Sequence, residues 1–464
     1  MSSKLQFTQA TGTSTKKFTF SCWVKVNTES TQSGVPGFFS TSNGWADGTG
    51  IAFAFSSQQL RIYMGATGVG GSNMNRVQDR LFRDQNAWYH LVFQADTDES
   101  AIADRMKVYV NGTQQTITNV GGSNLNLPAQ GASWQNLGVS GQTLQIGSAS
   151  QSNQYFDGII AHAHFCDGYS YPASTFGQTD ATTGIWKPTT SPSVSYGTNG
   201  FFLKFDNSGN MGLDSSGQGN NLTTSGTIIQ TKDSPSNVFA AWNPLHFTED
   251  RVPNTVFKNV NTTFDSNETG SGVYTTSFST LAASSGKYYC EYKTTQAAGA
   301  GNMCIGIGEG DTSESYFGAG TNSVIYLGDT GQYRKGGSDT SYGDTYGVGD
   351  IIGVALDLDN NKLYFSKNGT WQNSGDPTSG STGTGAISIS AASATTTGFY
   401  HFGVGDKSSS GTCEISANFG NGYFGTTAVS SAQNPDDGIG IFEYDVPAGY
   451  RALCTKSLNA QEYS

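Results

Sequence analysis

Glu309, Asp311 and Glu314 are acidic residues whose spacing could support hydrolysis of a glycosidic bond. In that chemistry two carboxyl groups flank the sugar linkage, one as acid and the other as nucleophile, and the spacing Glu-x-Asp-x-x-Glu on one strand presents such a set. The intervening glycine, threonine and serine are not the buried apolar residues that a catalytic strand carries. We therefore favour a solvated acidic loop here, and we predict that the protein is not an enzyme.

His162, His164 and Cys166 alternate in the run IIAHAHFC and could offer nitrogen and sulfur ligands to a metal ion. A zinc site also needs a further ligand and supporting hydrogen bonds, which the sequence does not indicate. The alternating residues predict an opposite, core-facing side of the strand: Ile159, Ala161, Ala163 and Phe165. We expect the two histidines and the cysteine to form a polar outer face or a contact between subunits.

Asp206 lies shortly before the loop LDSSGQGNNL, and Asp214 lies within it. Carboxylate oxygens around a glycine turn suit calcium, which makes these two aspartates candidate calcium ligands. An ordinary Asp-Ser-Ser-Gly turn explains the same residues, and few carboxylates converge here. Calcium is the one cofactor that we consider, and we expect no other.

Loop aromatics are the predicted recognition elements, because such rings stack on sugars and anchor protein contacts. We expect exposed rings in the glycine-rich segment FFSTSNGWADGTG and in the loops that lead to residues 350–369. They are Trp45, Tyr316, Phe317, Tyr326, Tyr333, Tyr342 and Tyr346. For any single tyrosine, the alternative is a strand position with only its hydroxyl group at the surface.

The composition favours short strands joined by tight turns, which predicts an all-β chain. The 464 residues include 61 glycines, 27 phenylalanines and 22 tyrosines, and only 13% of them are charged. A formal charge of -12 opposes the phosphate backbone, so we expect no nucleic-acid binding. Apolar runs of membrane-spanning length and a signal peptide are absent from the sequence, so we predict synthesis in a cytoplasm and no membrane insertion. The six scattered cysteines predict buried free thiols.

The segment DIIGVALDLDNNKLYFSKNG, residues 350–369, predicts a β-hairpin. Its two apolar-alternating runs are separated by Asn360-Asn361 and end at Asn368-Gly369. One face of the hairpin is predicted to be buried: Ile352, Val354, Leu356, Leu358, Leu363 and Phe365.

The first half of the chain resembles the LamG or concanavalin A-like jelly roll. The resemblance rests on FTFSCWVK, AWYHLVF, KVYVNG, YFDGIIAHAHFCDG and FDNSGNMGLDSSGQGNN, which follow one another in the family's order. Acidic residues often follow the glycine and isoleucine of the closing strand in this family, whereas Ala161 and His162 stand there in this chain. We therefore transfer no acidic site from the family to these positions.

The second half resembles a SPRY domain, a class that binds partners through surface loops and has no chemistry of its own. The matching segments are GKYYCEYK, MCIGIG, the hairpin at 350–369, YHFGVG and CEISANFG. The connector DSPSNVFAAWNPL and the final stretch FEYDVPAGYRALCTKSLN resemble segments of phage virion proteins. We predict two antiparallel β-sandwich domains in tandem, at 1–226 and 254–464, with a connector at 227–253.

These resemblances imply a non-enzymatic structural protein on the surface of a tailed-phage particle, assembled in the host cytoplasm. It would be a capsid decoration, a head fibre or a tail fibre, with other virion proteins as partners and a host-surface glycan as a further contact. We expect a homo-oligomer, as is usual for virion appendages. Two alternatives are a carbohydrate-binding lectin or glycan-degrading enzyme that acts on the host surface, and a SPRY-type peptide-binding adaptor.

Overall fold

The structure is a computed structural model that describes residues 3–27, 36–41, 50–64, 74–77, 80–120, 125, 127–149, 154–245, 255–266, 275–297, 303–310, 316–406 and 412–462. The chain divides into two units, Met1–Gln230 and Thr231–Ser464. The predicted connector is shared between them, because Ile228 packs on the core of the first unit and Trp242 lies in the core of the second.

The first unit is a sandwich of two antiparallel sheets. Its described strands are β1 Lys4–Thr8, β2 Lys17–Val26, β3 Gly37–Thr41, β4 Ile51–Ser56, β5 Gln59–Met64, β6 Met74–Val77, β7 Tyr89–Asp96, β8 Met106–Val110, β9 Thr113–Gln115, β10 Ile117–Asn119, β11 Thr143–Ile146, β12 Gly158–Asp167, β13 Gly177–Thr179, β14 Trp186–Pro188, β15 Phe201–Leu203 and β16 Thr223–Ser225. The larger sheet has the order β10-β6-β5-β4-β3-β11-β1-β16, and the smaller sheet has the order β15-β12-β2-β7-β8-β9. Strands β13 and β14 pair with each other.

Phenylalanine rings fill the space between these two sheets. Phe18 and Phe20 of β2 point into the core, because apolar and polar residues alternate along β2 and every second side chain lies on the core-facing side. Phe53 of the larger sheet stacks on Phe93 of the smaller sheet, with ring centroids 3.7 Å apart and planes 6° apart. Aromatic contacts of this kind add to the free energy of apolar burial.

A bulge in β12 changes which residues face the core. The pairing with β2 shifts between Ala161 and His164, and His162 has a φ of 47°. One extra residue exchanges the two faces of a strand. The core-facing residues of β12 are Ile160, Ala163 and Phe165. The prediction that Ile159 and Ala161 face the core is therefore wrong.

The second unit is also a sandwich of two sheets. Its described elements are β17 Val256–Lys258, β18 Thr263–Asp265, β19 Thr275–Phe278, β20 Lys287–Ala297, β21 Met303–Gly308, β22 Val324–Leu327, β23 Gln332–Lys335, β24 Ser338–Ser341, β25 Ile351–Asp357, β26 Lys362–Lys367, β27 Thr370–Trp371, β28 Ile387–Ser388, β29 His401–Asp406, β30 Cys413–Asn418, β31 Tyr423–Phe424, β32 Thr427–Ala428, β33 Arg451–Ala452 and α1 Thr455–Glu462. One sheet has the order β17-β18-β30-β20-β25-β26-β27, with β28 beside β26 and β33 beside β20. The other has the order β19-β29-β21-β22-β23-β24. No helix among the described residues is long and apolar enough to cross a membrane.

The predicted hairpin is confirmed as β25 and β26. Leu356 pairs with Leu363 and Val354 pairs with Phe365, so the apolar positions lie on one face. Asn361 at the turn has a φ of 57°, a backbone conformation that asparagine tolerates better than most residues. The prediction of an all-β chain with two tandem sandwiches is confirmed as well.

A layer of chain from both ends of the second unit covers the outer face of β20, β25 and β26. This covering layer consists of residues 237–241 and 441–455. Phe239 bridges to Cys454, and the amide of Ala240 donates to the carbonyl of Leu453 at 3.0 Å. The layer buries an apolar cluster that lies outside the main core: Phe239, Tyr289, Ala355, Tyr364, Phe442, Tyr450, Ala452 and Cys454.

Glu291 attaches the covering layer to the sheet. Its carboxylate accepts hydrogen bonds from the backbone amides of Glu443 and Tyr444, each at 2.8 Å, and from the hydroxyl of Tyr289 at 3.1 Å. The amide nitrogen of Asn418 also donates to it, at 3.3 Å. Because the Glu291 side chain is buried, desolvation raises its pKa from 4.5 to about 7 despite these donors.

This raised pKa predicts that the second unit loses stability as the pH rises. Between about pH 4.5 and 7 the folded chain holds a proton on Glu291 that the unfolded chain has released, so the free energy of unfolding falls across that window. We expect wild type to lose about 2–3 kcal/mol more than Glu291→Gln between pH 5 and 8. Urea unfolding at several pH values measures this difference.

Glu414→Gln is the matched control, because Lys258 and Thr295 lower the pKa of Glu414 against the opposing effect of its burial. The ionised Glu414 stabilises the fold at pH values above the pKa that it has in the unfolded chain, and this stabilisation is lost as the pH falls. Its pH dependence is therefore opposite to that of Glu291. If the free energy of unfolding changes with pH in the same way for wild type and Glu291→Gln, the raised pKa of Glu291 is contradicted.

Candidate functional site

An open groove of about 650 Å³ lies on the outside of the first unit, beside β15. The segments that form it are residues 190–204, residues 215–218 and Tyr169. Its lining combines aromatic rings, hydroxyl groups, one amide and one ammonium group: Tyr169, Thr190, Ser191, Ser195, Tyr196, Phe202, Lys204, Ser215, Ser216 and Gln218. Such a mixture suits a ligand with both apolar faces and hydroxyl groups.

The base of the groove is an aromatic stack on the outer face of the smaller sheet. Phe202 of β15 lies opposite His164 of β12 in the register, and the two rings stack at 3.9 Å with planes 15° apart. The hydroxyl of Tyr196 is 3.0 Å from Nδ1 of His164. Tyr169 is 36% exposed and lies parallel to Tyr171, with centroids 6.0 Å apart. The base therefore consists of packed rings, while the ring of Tyr169 stays partly open to solvent.

Residues 168–200 cover the two metal-ligand candidates that the sequence suggested at His164 and Cys166. Both side chains are buried, in a cluster with Phe176 and Tyr196. Burial lowers the pKa of His164 and raises the pKa of Cys166. The prediction of a polar outer face or subunit contact is wrong for these two residues, because the chain folds back over them.

His162, the third member of that trio, is half-buried in the bulge, and its Nδ1 has no hydrogen-bond partner among the described residues. Burial lowers its pKa, and the charge of Lys204 lowers it further. Within the described part of the chain, no group of three or more His, Cys, Asp or Glu side chains is arranged to hold a metal ion.

A serine of β2 and a histidine of β7 lie in contact on the smaller sheet, and sequence reasoning missed them. Nε2 of His90 is 2.9 Å from the hydroxyl of Ser21, and the indole nitrogen of Trp186 donates to Nδ1 of His90 at 2.9 Å. An indole nitrogen only donates, so Nδ1 is the acceptor and Nε2 carries the proton. Burial also lowers the pKa of His90 to about 3. His90 therefore donates to Ser21 and cannot act as its base.

Asp214 organises the loop that was proposed for calcium. One of its oxygens accepts from the amides of Phe202 and Ser216, and the other accepts from the amide of Asn220 and the hydroxyl of Ser216, all at 2.8–2.9 Å. Asp206 is exposed. The geometry is that of a turn closed by its own donors, and calcium binding by these two residues stays a prediction.

Glu309 is buried rather than part of a solvated loop, so that expectation is wrong. Its carboxylate accepts from the amide of Thr396 and from the amide nitrogen of Asn322, the latter at 3.3 Å, and its carbonyl accepts from Thr397 at 2.7 Å. These bonds connect the end of β21 to the loop before β29. Asp311 and Glu314 lie outside the described residues.

The structure corrects several of the predicted loop aromatics. Tyr326, Tyr342 and Tyr346 are buried in the second core, and their hydroxyl groups bond to backbone atoms of Asp344, Phe365 and Tyr326 respectively. They lie there because the ring of Phe365, on the buried face of the hairpin, packs against Tyr326 and Tyr342. Phe317 is buried too.

Two of the predicted aromatic residues are partly exposed to solvent. Tyr333 and Tyr316 are half-buried, and the guanidinium of Arg334 lies 5.7 Å from the centre of the Tyr316 ring. Asp339 holds Arg334 through two hydrogen bonds, of 2.6 and 2.8 Å. Trp45 lies outside the described residues.

Comparisons with known proteins match each unit separately. Residues 2–169 match the concanavalin A-like lectin/glucanases superfamily, and residues 287–388 match the SPRY domain. Over 91 residues, 19% of the chain, it is 34% identical to Ran-binding protein 10 of Danio rerio and to Ran-binding protein 9 of Mus musculus and Homo sapiens. These matches span only 15%, 14% and 12% of the relatives' lengths.

Among solved structures, the SPRY domain of human HERC1 matches at 14% identity and a TM-score of 0.29, covering 37% of this chain and 96% of that one. A human SPRY domain matches at 16% identity and a TM-score of 0.26, covering 35% and 93%.

The hydrogen bond from Trp186 to His90 gives a test of which ring nitrogen of His90 carries the proton. Nitrogen-15 NMR of the imidazole should show the proton on Nε2 of His90. Trp186→Phe should leave Nδ1 of His90 without its donor and lower the free energy of unfolding by about 1–3 kcal/mol. Trp23→Phe is the matched control, because the buried indole nitrogen of Trp23 has no partner among the described residues. A proton on Nδ1 in the wild type, or equal losses in both variants, would refute the assignment.

Proposed function

Because the chain carries a concanavalin A-like domain followed by a SPRY domain, we propose that it is a non-enzymatic surface protein of a tailed-phage particle. It acts as a capsid decoration, head fibre or tail fibre that contacts a glycan on the host surface. The groove of the first unit is the observation that carries this proposal. Its partners on the particle are other virion proteins and further copies of the same chain.

Unpaired polar groups in the groove support contact with a sugar. The side chains of Tyr169, Ser191 and Gln218 are exposed, and they make no hydrogen bond within the described part of the chain. Sugars present hydroxyl groups at their edges and C–H groups on their faces, so they bind to free polar groups beside an accessible ring. Tyr169 offers such a ring, because its parallel contact with Tyr171 fixes its orientation.

The position on a particle rests on the connector and the final stretch of the chain, which resemble segments of phage virion proteins. In the second unit these two segments pack together as the covering layer, through Phe239 and Cys454. Their pairing gives a reason for the two segments to occur together in one protein. The formal charge of -12 also suits an exterior position, away from packaged DNA.

The particle role predicts that the chain is a stoichiometric component of purified virions. Mass spectrometry should detect it in gradient-purified particles, and cryo-EM should show repeated copies on the outside. The purified chain should also compete with particles for host adsorption, and Tyr169→Ala should compete less well because the accessible ring is lost. Absence of the chain from particles would refute the virion role.

A SPRY-type peptide-binding adaptor is the second candidate. The 34% identity to Ran-binding proteins 9 and 10, whose names state binding to Ran, favours this role over that of a lectin or a glycan-degrading enzyme. The partly exposed Tyr316, Tyr333 and Arg334 would then lie in the contact surface. Copurification of the chain with one peptide-bearing partner, together with its absence from particles, distinguishes this role from the first.

A further inference from the structure

The ionic character of the groove differs from that of the chain as a whole. The chain has 36 acidic and 24 basic residues, yet no aspartate or glutamate among the described residues lines the groove. Lys204 is the one charged side chain among the described lining residues. A site without carboxylates in an acidic protein favours anionic over cationic ligands.

Lys204 is available to a ligand. Its side chain is exposed, its Nζ lies 5.6 Å from the centre of the Phe202 ring, and it forms no ion pair with any residue that the structure describes. The ring contact places the ammonium group over the aromatic base of the groove. A lysine held in this way keeps all three of its donors for a bound group.

The two neighbouring carboxylates do not neutralise Lys204. Asp214 already accepts four hydrogen bonds from its own loop. Asp206 follows Lys204 by two residues and is exposed, but no ion pair joins these two described residues. Lys204 itself lines the groove, so its ammonium charge lies at the site although the net charge of the protein has the opposite sign.

We propose that the groove binds a saccharide with an anionic substituent, a carboxylate or a sulfate, and that Lys204 is the residue that selects it. The sugar ring lies against Tyr169, the free groups of Ser191 and Gln218 bond to its hydroxyl groups, and the ammonium of Lys204 binds the anion. This inference rests on the proposed glycan contact and names its chemical class.

Most of the groove lies outside the family match. The match to the concanavalin A-like superfamily ends at residue 169, so the groove residues apart from Tyr169 lie beyond it. They belong to the segment that folds back over the smaller sheet and to the loop held by Asp214. The specificity of the groove thus comes from a segment outside the family match.

The test uses the full-length chain and a panel of immobilised saccharides. The panel contains sialyllactose, a glucuronic acid-terminated disaccharide and a 6-sulfated N-acetyllactosamine, each beside its neutral counterpart. We expect binding to at least one anionic member to exceed binding to its neutral counterpart by about tenfold at low salt, and this preference to shrink as salt is added. A comparison of the carboxylated with the sulfated saccharides shows which of the two anions the groove prefers.

Variants of Lys204 isolate the charge. Lys204→Gln should abolish the preference for the anion over its neutral counterpart, and Lys204→Arg should retain that preference. Lys293→Gln is the matched control, because Lys293 lies 5.9 Å from the ring centre of Phe424 in the other unit and the same charge is lost. It should bind as wild type does.

Three results would overturn the inference: equal binding of anionic and neutral sugars, a preference that survives in Lys204→Gln, or no binding to any member of the panel. The proposed virion role fails separately, through absence of the chain from purified particles. A chain that is present on particles but binds no anionic saccharide would therefore refute the ligand assignment alone.

Discussion

Central strands that are buried on both faces impose the main constraint on this protein. Almost every residue of β2 and every residue of β25 is buried, although one face of each strand points away from the space between its two sheets. Such a strand needs further chain over its outer face, which buries the apolar Ala355 of β25 and bonds to the hydroxyl of Thr19 on β2. Each unit meets this requirement with its own segment.

In the first unit the covering segment also creates the groove. Residues 168–200 bring Phe176 and Tyr196 onto His164 and Phe202, and Trp186 onto His90. Where the segment returns to the sheet at β15, the cover ends and the groove opens. The second unit uses the covering layer at the equivalent outer face, where Glu291 gives it a polar attachment. The need to cover these outer faces therefore has two outcomes: a segment that leaves an open groove in one unit, and a layer attached to the sheet through Glu291 in the other.

Alternation of apolar and polar residues predicted the strands well, because it reflects the two faces of each strand directly. The hairpin at 350–369 is the clearest case, since its asparagine turn and its apolar positions agree. The same pattern says nothing of what covers an outer face, which depends on residues far along the chain. For that reason His164 was expected at the surface and lies buried. Glu309 was expected in a solvated loop because its neighbours are polar, but the loop before β29 packs over it. The bulge at His162 was missed because no glycine or proline marks it.

Hydrogen bonds join the two walls of the groove. The four bonds to Asp214 hold the loop that carries Ser216 and Gln218, and the side-chain amide of Asn220 donates to the carbonyls of Thr198 and Gly200, each at 2.8 Å. These bonds connect the two walls, so the width of the groove is set before a ligand arrives. A preformed site avoids much of the entropy loss that ordering a loop would impose on binding. In the proposed complex, the binding free energy of a small sugar then depends on a few groups, among which the ammonium of Lys204 carries the charge.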